Sequence, residues 1–457
     1  MRGRPQRSHR PLSMSFSLVV VLAGWTGIAR SQAVTKEKPG VTAGKQAVTT
    51  GKQEPDEFHL TATVGERTNS NVFFAAGEPQ GDYISTLVLA LSVRRHSPRT
   101  EWFLNYRPIL SHYLDFSELD SFSQAFDGSA TYSLTERSRL SIRETFTLSR
   151  DPVIVAVPGD SPILTNTQKR WRNLSGIDYS QELSQSLSWE GGVQYYANRF
   201  DDPGSTDNNG LIGTLSMSAL VAKEDTLTGL YSPGFVSFYS SEPTFAVDPC
   251  ATALPDEVVA QTLSQTQGST AHQFGVGWIH ADTRAWGAEL AVGTTLVDQQ
   301  VRDYTRTVIC QPGQIESEVN TEEDRSRSQR LYVGRAGLRR AFLRIDLDGG
   351  YQRRLTADTG ADTVTVGDSL YANLNGRIGR NFTYGIGLDY STRKSLGGAT
   401  TAVDIVSEGV ALRGDYTINE WVSLTALANF REQKNSGVAA DTQTIENYFL
   451  GVAFRVF

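Results

Sequence analysis

From Phe58 to the end of the chain, apolar and polar residues alternate with a period of two. In Asn381–Tyr390 every second residue is aromatic or aliphatic, and the residues between them are Thr, Gly or Asp. This alternation predicts β-strands with one apolar and one polar face. The same pattern occurs in other segments: Ser138–Ser149, Leu343–Tyr351, Tyr83–Val93, Leu211–Val221, Trp286–Leu296, Leu370–Arg377 and Trp421–Phe430.

Short polar turns alternate with longer polar loops between these segments. The turns are expected at His96–Arg99, Thr135–Arg137, Gln181–Ser184, Lys223–Asp225, Ala281–Thr283, Arg339–Ala341, Gly379–Asn381 and Ile418–Glu420. The loops are expected at 66–82, 111–121, 150–168, 200–209, 240–270, 299–328, 355–367, 393–402 and 432–444. We therefore predict an all-β fold, a single transmembrane antiparallel β-barrel of about 18 strands, with about 16 as the other count the pattern allows. A closed, even barrel leaves no open sheet edge in the bilayer.

Three regions are expected along the chain. Arginines precede the apolar run Phe16–Ala23, and Ser31-Gln32-Ala33 resembles a cleavage site, which predicts a secretory signal peptide at 1–33. Residues 34–57 are polar, nearly free of aromatics and repeat the sequence Gly-Lys-Gln, which predicts a disordered periplasmic tether. The barrel occupies 58–457, with short periplasmic turns and long extracellular loops, in the bacterial outer membrane.

Aromatic residues are expected near both ends of the strands, as in the two girdles of membrane barrels. The set near the turns comprises Trp102, Tyr132, Tyr179, Trp286, Phe382, Tyr416 and Trp421. The set near the loops comprises Tyr195, Phe200, Phe235, Phe238, Tyr239, Tyr390 and Phe430. The hairpins around Glu136 and Glu420 also repeat one pattern, an aromatic residue, a polar turn and a returning apolar strand.

Together with the closing strand Asn447–Phe457, these features resemble Gram-negative outer-membrane β-barrel proteins, including porin-like barrels sometimes associated with exopolysaccharide export. The resemblance implies partners: outer-membrane lipid and lipopolysaccharide, and the barrel-insertion machinery. It also implies that Phe454, Val456 and Phe457 form the insertion signal. Phe457 falls on the opposite face from Phe454 and Val456, which departs from the usual register.

The composition narrows the function. The formal net charge of −7 and a pI near 5.5 disfavour nucleic acid as a partner. No stretch after residue 30 has the length of apolar sequence that a spanning helix requires. The two cysteines, Cys250 and Cys310, fall in the two longest expected loops, and an even pair in an exported protein predicts a disulfide. A reactive thiol is the alternative.

No nucleotide, metalloprotease or serine-hydrolase motif occurs, so we expect no enzyme activity, cofactor or metal. The residues opposite the apolar face carry both charge signs and are the candidates for lining the lumen. They are Arg143, Glu190, Glu289, Arg335, Arg344, Asp346, Asp348, Arg377, Asp389, Arg413 and Asp415.

These features predict a porin-like passive channel for small hydrophilic solutes or an exported glycan. The first alternative is a non-conducting barrel whose loops have a binding, adhesion or structural role. The second is an outer-membrane hydrolase, which requires Ser, His and a carboxylate or carboxamide assembled on the outer barrel wall. The scattered single histidines disfavour the hydrolase.

Overall fold

The fold is a closed antiparallel barrel. A computed structural model describes residues 57–73, 78–150, 169–201, 207–239, 257–281, 286–311, 314–356, 364–396, 404–436 and 441–455. The predicted signal peptide and tether lie outside these residues, apart from Glu57, which begins the first strand. They remain predictions.

Eighteen strands make up the sheet of the described chain. They are β1 (Glu57–Asn69), β2 (Asp82–His96), β3 (Thr100–Tyr113), β4 (Ser121–Thr135), β5 (Ser138–Ser149), β6 (Arg170–Glu182), β7 (Leu187–Phe200), β8 (Asp207–Leu220), β9 (Asp225–Tyr239), β10 (Glu257–Ala281), β11 (Trp286–Gln311), β12 (Gln314–Ala341), β13 (Ile345–Thr356), β14 (Thr365–Ile378), β15 (Phe382–Ser395), β16 (Asp404–Thr417), β17 (Val422–Ser436) and β18 (Asp441–Arg455). The all-β barrel and its count of about 18 strands are therefore confirmed.

Each strand pairs with the next one, and the first strand pairs with the last. The β1–β18 ladder runs from Thr61↔Arg455 to Asn69↔Asn447. Gly65 and Gly451 lie opposite each other in this seam, and the ring of Phe449 fills the space that side chains at both positions would occupy. An added Cβ at Gly65 would lie 2.5 Å from Phe449 Cε2. The seam therefore joins the first and last strands in one specific register.

Six of the eight expected turns fall at the junctions between described strands. The turn expected at Arg339–Ala341 is wrong, because these residues continue the ladder to the end of β12 and the turn follows at 342–344. Of Ala281–Thr283 only Ala281, the last residue of β10, is described. At the β14–β15 turn, Gly379 has φ of +65°, a conformation that a residue with a Cβ adopts at a cost. The only helical element in the described chain is a 3-10 helix at Ser117–Leu119. None of its helices is long and apolar enough to cross a membrane.

Two of the expected loops are wrong. Residues 240–270 were expected to form a loop, but β10 begins at Glu257. Residues 299–328 were expected to form another, but they form the outer parts of β11 and β12, which pair with each other as far as Gln311↔Gln314. Pairing of β12 with β13 covers only Gly334 to Ala341, so the hairpin extends beyond the barrel wall. We call the residues 299–328 of this hairpin the projection. Its polar composition concealed these strands. Glu257–Thr266 of β10 pair with Val301–Cys310 on the other side of β11, so ladder hydrogen bonds join three strands there.

The register assigns every strand residue to one of two faces. On one face, which we call the apolar face, large hydrophobic side chains remain exposed; examples are Leu370 at 55%, Leu388 at 49% and Leu450 at 64%. The opposite, polar face contains buried residues such as Ile84 at 0% and Tyr113 at 2%, next in sequence to the exposed Tyr83 and Leu114. Side chains diverge on the convex wall of a barrel and converge on the concave wall, so the polar face is the inner one.

Burial on the polar face increases towards the loop ends of the strands. Asn208, Gln299 and Gln433 are at most 1% exposed there, whereas the side chain of Arg413, near a turn, is 61% exposed. Val236 and Phe238 of β9 belong to a cluster with Val364, Val366 and Leu396. Because β10–β13 separate β9 from β14 in the sheet, this cluster narrows the loop end of the barrel.

The girdle expectation needs two corrections, at Phe200 and Phe238. Phe200 pairs with Arg170 on the polar face, where the Arg170 guanidinium lies 5.6 Å from its ring centroid. Tyr239, Phe235 and Tyr390 lie on the apolar face and are exposed, as a girdle requires. Phe238 lies on the polar face and is 4% exposed, because it packs in the cluster at the loop end. Phe454 of the expected insertion signal lies on the apolar face, 45% exposed. Val456 and Phe457 lie outside the described residues.

The two faces predict different losses of stability when a charge is inserted. Leu370→Arg places a guanidinium on the apolar face near the middle of β14, and we expect it to destabilise the barrel in a bilayer by about 2–4 kcal/mol. Ser369→Arg, one position away on the polar face, is expected to cost less than about 1 kcal/mol. Urea unfolding of both variants in lipid vesicles measures the difference. Equal losses would contradict the assignment of the faces.

Candidate functional site

The candidate site is the polar face of the barrel. The register places all the candidate lumen residues on this face except Arg344, which lies in the turn between β12 and β13. Arg377 and Asp415, for example, both pair with Thr383. Their contacts form several separate groups around the wall.

The first group joins β11, β12 and β14. Arg335 Nη2 donates a hydrogen bond to Glu289 Oε2, and both side chains are largely buried. The intervening positions are Gly337, whose added Cβ would lie 2.9 Å from the Glu289 carboxylate, and Gly350, whose added Cβ would lie 3.0 Å from Tyr371 Oη. The glycines therefore leave room for the long polar side chains to lie flat across the wall.

A second group centres on Arg431, which is 8% exposed. Its guanidinium donates to Asp389 Oδ1 at 2.8 Å and to Ser407 Oγ at 2.8 Å. Gly409 lies between them, and its added Cβ would lie 2.7 Å from Asp389 Oδ1. Asp389 was a candidate from the sequence, but Arg431 was not, because it lies directly before an expected loop.

A third group brings together Arg143 and Asp178, with 3.9 Å between Nη2 and Oδ2. Asp178 lies over Gly192, and Glu190 is two residues from Gly192 on the same face. Asp178 was not among the residues predicted to line the lumen. The alternation in β6 does contain the signal, because Asp178 is the polar residue between Ile177 and Tyr179.

Most of the remaining candidates contact residues on the same strand or on a neighbouring one. Arg413 binds Asp415 with both Nε, at 2.6 Å, and Nη2, at 3.1 Å, and Thr425 Oγ1 donates to the same carboxylate. Asp346 pairs with Arg339 at 3.5 Å. Asp348 accepts a hydrogen bond from Asn373 Nδ2 at 3.1 Å. Most of these charges are therefore held in local ion pairs or hydrogen bonds.

The charges do not surround the polar face evenly. The described polar-face positions of β8, β9 and β10 carry no charged residue and are occupied by Ser, Thr, Asn, Gln, Gly and aliphatic or aromatic side chains. The charged groups lie on the remaining strands. Three adjacent strands therefore form a neutral arc in an otherwise charged wall.

The described residues contain no group of three or more His, Cys, Asp or Glu able to hold a metal ion. Of the two cysteines, Cys250 lies outside the described residues, and Cys310 is the second-last residue of β11, where its backbone lies opposite Glu257. The disulfide remains a prediction.

No protein-family model and no curated protein match this chain. Solved structures do resemble it. Pseudomonas aeruginosa OccK2 (OpdF) is 11% identical, with 88% of this chain and 98% of that chain covered and a TM-score of 0.43. Pseudomonas aeruginosa OpdK with vanillate is 10% identical, with 88% and 99% covered and a TM-score of 0.42. The ferric-catecholate import receptor Fiu from E. coli K12 is 9% identical, with 88% and 82% covered and a TM-score of 0.43. These likenesses concern overall shape only.

The glycine positions predict where the polar face tolerates a side chain. An added Cβ at Gly350 would lie 2.7 Å from the Ala336 carbonyl oxygen, so a backbone atom must move. We expect Gly350→Ala to destabilise the barrel by about 1–3 kcal/mol. Gly234→Ala is the matched control, because Gly234 lies on the polar face and its added Cβ would come no closer than 3.8 Å to any atom, an ordinary van der Waals contact. Unfolding midpoints that fall equally in both variants would contradict this.

Proposed function

We propose that this protein is a passive channel of the bacterial outer membrane for small hydrophilic solutes. The supporting observation is the closed barrel with an exposed apolar face and a concave polar face that carries both charge signs. A wall of this kind satisfies its backbone groups within lipid and encloses a polar interior. In this proposal the candidate residues of the polar face line the lumen, and no chemical step is needed.

The burial pattern supports an asymmetric pore. The turn half of the lumen holds exposed charged side chains, such as Arg413 and Arg339. The loop half is narrowed by buried Asn and Gln side chains and by the Val236–Phe238 cluster. A solute would therefore be limited in size at the loop end and sorted by charge on the turn side. Outer-membrane lipid, lipopolysaccharide and the barrel-insertion machinery are the partners that this location implies.

An exported glycan is the finer possibility within this proposal. The neutral arc of β8–β10 presents half-buried hydroxyl groups, such as those of Ser216, Thr226 and Thr228, that suit a solute rich in hydroxyl groups. The exopolysaccharide association rests on the sequence resemblance alone.

The projection favours a second function, a barrel whose extracellular part binds a partner. It carries its own network of charges, with Arg302 Nε donating to Asp324 Oδ1 at 2.7 Å and Arg325 Nη2 to Glu323 Oε2 at 2.7 Å. These pairs order the outer strands of the β10–β11–β12 sheet beyond the wall of the barrel. A binding or adhesion role would use this surface, with a Cys250–Cys310 bridge fixing its outer end.

Single-channel recording on residues 34–457 refolded into a planar bilayer tests the channel. We expect stable open steps, because the turn half of the interior is polar and open. A Cys250–Cys310 bridge would lie at the outer end of the projection. A change of conductance on adding reductant that is absent in Cys250→Ser would show that this bridge holds a loop over the mouth. A folded, heat-modifiable barrel that never conducts would contradict the channel and favour the binding role of the projection.

Adjacent arginines on opposite faces of β12 test which face lines the pore. Arg339 lies on the polar face beside Asp346, whereas Arg340 lies on the apolar face, 5.1 Å from the Phe342 ring centroid. We expect Arg339→Gln to shift the reversal potential in a salt gradient towards cation selectivity, because one positive charge leaves the lumen. Arg340→Gln removes the same charge and should leave the reversal potential unchanged. Equal shifts would contradict the proposed lumen.

A further inference from the structure

Four polar residues interrupt the apolar face at the loop ends of β1–β4. Ser85 of β2 pairs directly with Glu66 of β1 on one side and with His112 of β3 on the other. Asp120 directly precedes β4 and lies beside His112. Directly paired residues on one face have Cβ atoms about 4.5–5.5 Å apart, so the register alone brings Ser85 and His112 together.

Hydrogen bonds orient this group. His112 Nδ1 lies 2.8 Å from Asp120 Oδ2, and the Tyr113 amide donates to Asp120 Oδ1 at 2.8 Å. The Tyr113 amide and the His112 ring hold the pKa of the Asp120 carboxyl below its usual value, so Asp120 is ionised at neutral pH. A carboxylate only accepts hydrogen bonds, so Nδ1 carries the hydrogen and, in the neutral ring, Nε2 is the basic nitrogen.

The Ser85 hydroxyl is the other reactive group. It donates to the Glu66 carboxylate, with both oxygens 3.0 Å from Oγ. Rotation about the Ser85 Cα–Cβ bond moves the hydroxyl between its two cross-strand partners, Glu66 and His112. A serine, a histidine and a carboxylate in this order are the parts of a nucleophilic triad, which is recognised by geometry and not by sequence position.

The group lies in a groove of about 540 Å³ with an apolar floor of Val64, Leu87 and Leu110. Tyr83, Leu114 and Phe122, which are 50–68% exposed, surround it on the same face. These are the side chains that contact hydrocarbon if the apolar face meets lipid. The groove is therefore open to an acyl chain from the membrane side, at the depth of the loop-side interface.

A second groove continues from Asp120 past Phe122 and Leu148 to Arg150 and Lys169. Arg150 Nη1 donates to the Glu118 carbonyl, and Lys169 Nζ lies 3.4 Å from Asp201. Both cations lie beyond the ends of β5 and β6, where lipid headgroups would be. This end of the groove suits a phosphate group, as cations suit anionic headgroups.

We propose that Ser85, His112 and Asp120 form a hydrolase site that cleaves acyl esters of phosphate-bearing membrane lipids. Ser85 Oγ attacks the ester carbonyl carbon and its proton passes to His112 Nε2. The bond from the carbonyl carbon to the lipid alcohol oxygen breaks, and the alcohol leaves with that proton. Water then hydrolyses the acyl–Ser85 ester, releases the fatty acid and restores the serine. Asp120 is a positioning residue that orients the ring.

This inference shares with the proposed channel only the contact of the apolar face with lipid. The two proposals use opposite faces of the wall, and therefore different experiments decide them. Conductance without lipid hydrolysis would overturn the hydrolase alone, and hydrolysis without conductance would overturn the channel alone.

The first test is covalent labelling of the full refolded chain with a fluorophosphonate probe, with the labelled residue located by mass spectrometry. We expect label at Ser85, and a loss of at least about a hundredfold in labelling rate in Ser85→Ala and His112→Asn. His272→Asn is the matched control, because His272 lies on the same face but hydrogen-bonds Tyr231. Heat-modifiable mobility verifies that each variant folds. Folded wild-type chain that stays unlabelled at Ser85 would overturn the proposal.

The second test measures fatty-acid release and distinguishes the two lipid sources. Vesicles of phosphatidylethanolamine and phosphatidylglycerol present a glycerophospholipid, and vesicles with added phosphorylated lipid A present a glycolipid. Release from either set that disappears in Ser85→Ala supports the site and identifies its substrate class. Release that persists in Ser85→Ala, or no release from either set, would overturn it.

Two further variants separate catalysis from a structural cluster that only ties β3 to β4. Asp120→Asn should lower the labelling rate and change its pH profile, and Asp120→Glu should restore part of the rate; a purely structural role would change thermal stability and leave the pH profile of labelling unaltered. Glu66→Gln should keep the label, because His112 is the base. Labelling lost in Glu66→Gln but kept in His112→Asn would overturn the assignment.

Discussion

The structure depends on one constraint, that each backbone amide and carbonyl within a bilayer must find its hydrogen-bond partner inside the protein. An antiparallel sheet meets this requirement everywhere except at its two edges, and the β1–β18 ladder removes those edges. The exposed leucines of the apolar face then cost nothing in lipid, although the same surface in water would favour aggregation. Closure also shields the concave face from lipid, so this face can hold buried charged pairs such as Arg335 and Glu289.

Sequence alternation predicted most of this fold, because the period of two encodes both the strand and its two faces. In Asn381–Tyr390 the alternation alone is enough to predict the strand and the face of each side chain. Residues 299–328 escaped this rule, because polar residues on both of their faces concealed the strands. A hairpin outside the bilayer has no lipid-facing side, so its residues need not alternate.

The candidate residues could be predicted one by one, but their groupings could not. Asp389 is recognisable from its place in β15, yet its partner Arg431 lies two strands away, across a glycine. Ser85 and His112 are 27 positions apart, and only the register of β2 with β3 makes them neighbours. The scattered single histidines therefore argued against a site that cross-strand pairing assembles. The local sequence pattern determines which face a side chain lies on. Its contact partners depend on the register between neighbouring strands.

Phe449 at the closing seam has a consequence for how the protein is made. Its ring fits only where Gly65 and Gly451 face each other, and a slip of one residue would turn that ring out to the opposite side of the wall. The offset between the first and last strands also determines strand tilt and barrel diameter. The Phe449 ring therefore favours one diameter when the two strands pair at the end of assembly. A chain that closes in this register therefore has one circumference. The width of its interior depends in part on the Phe449 ring and on the absence of side chains at Gly65 and Gly451.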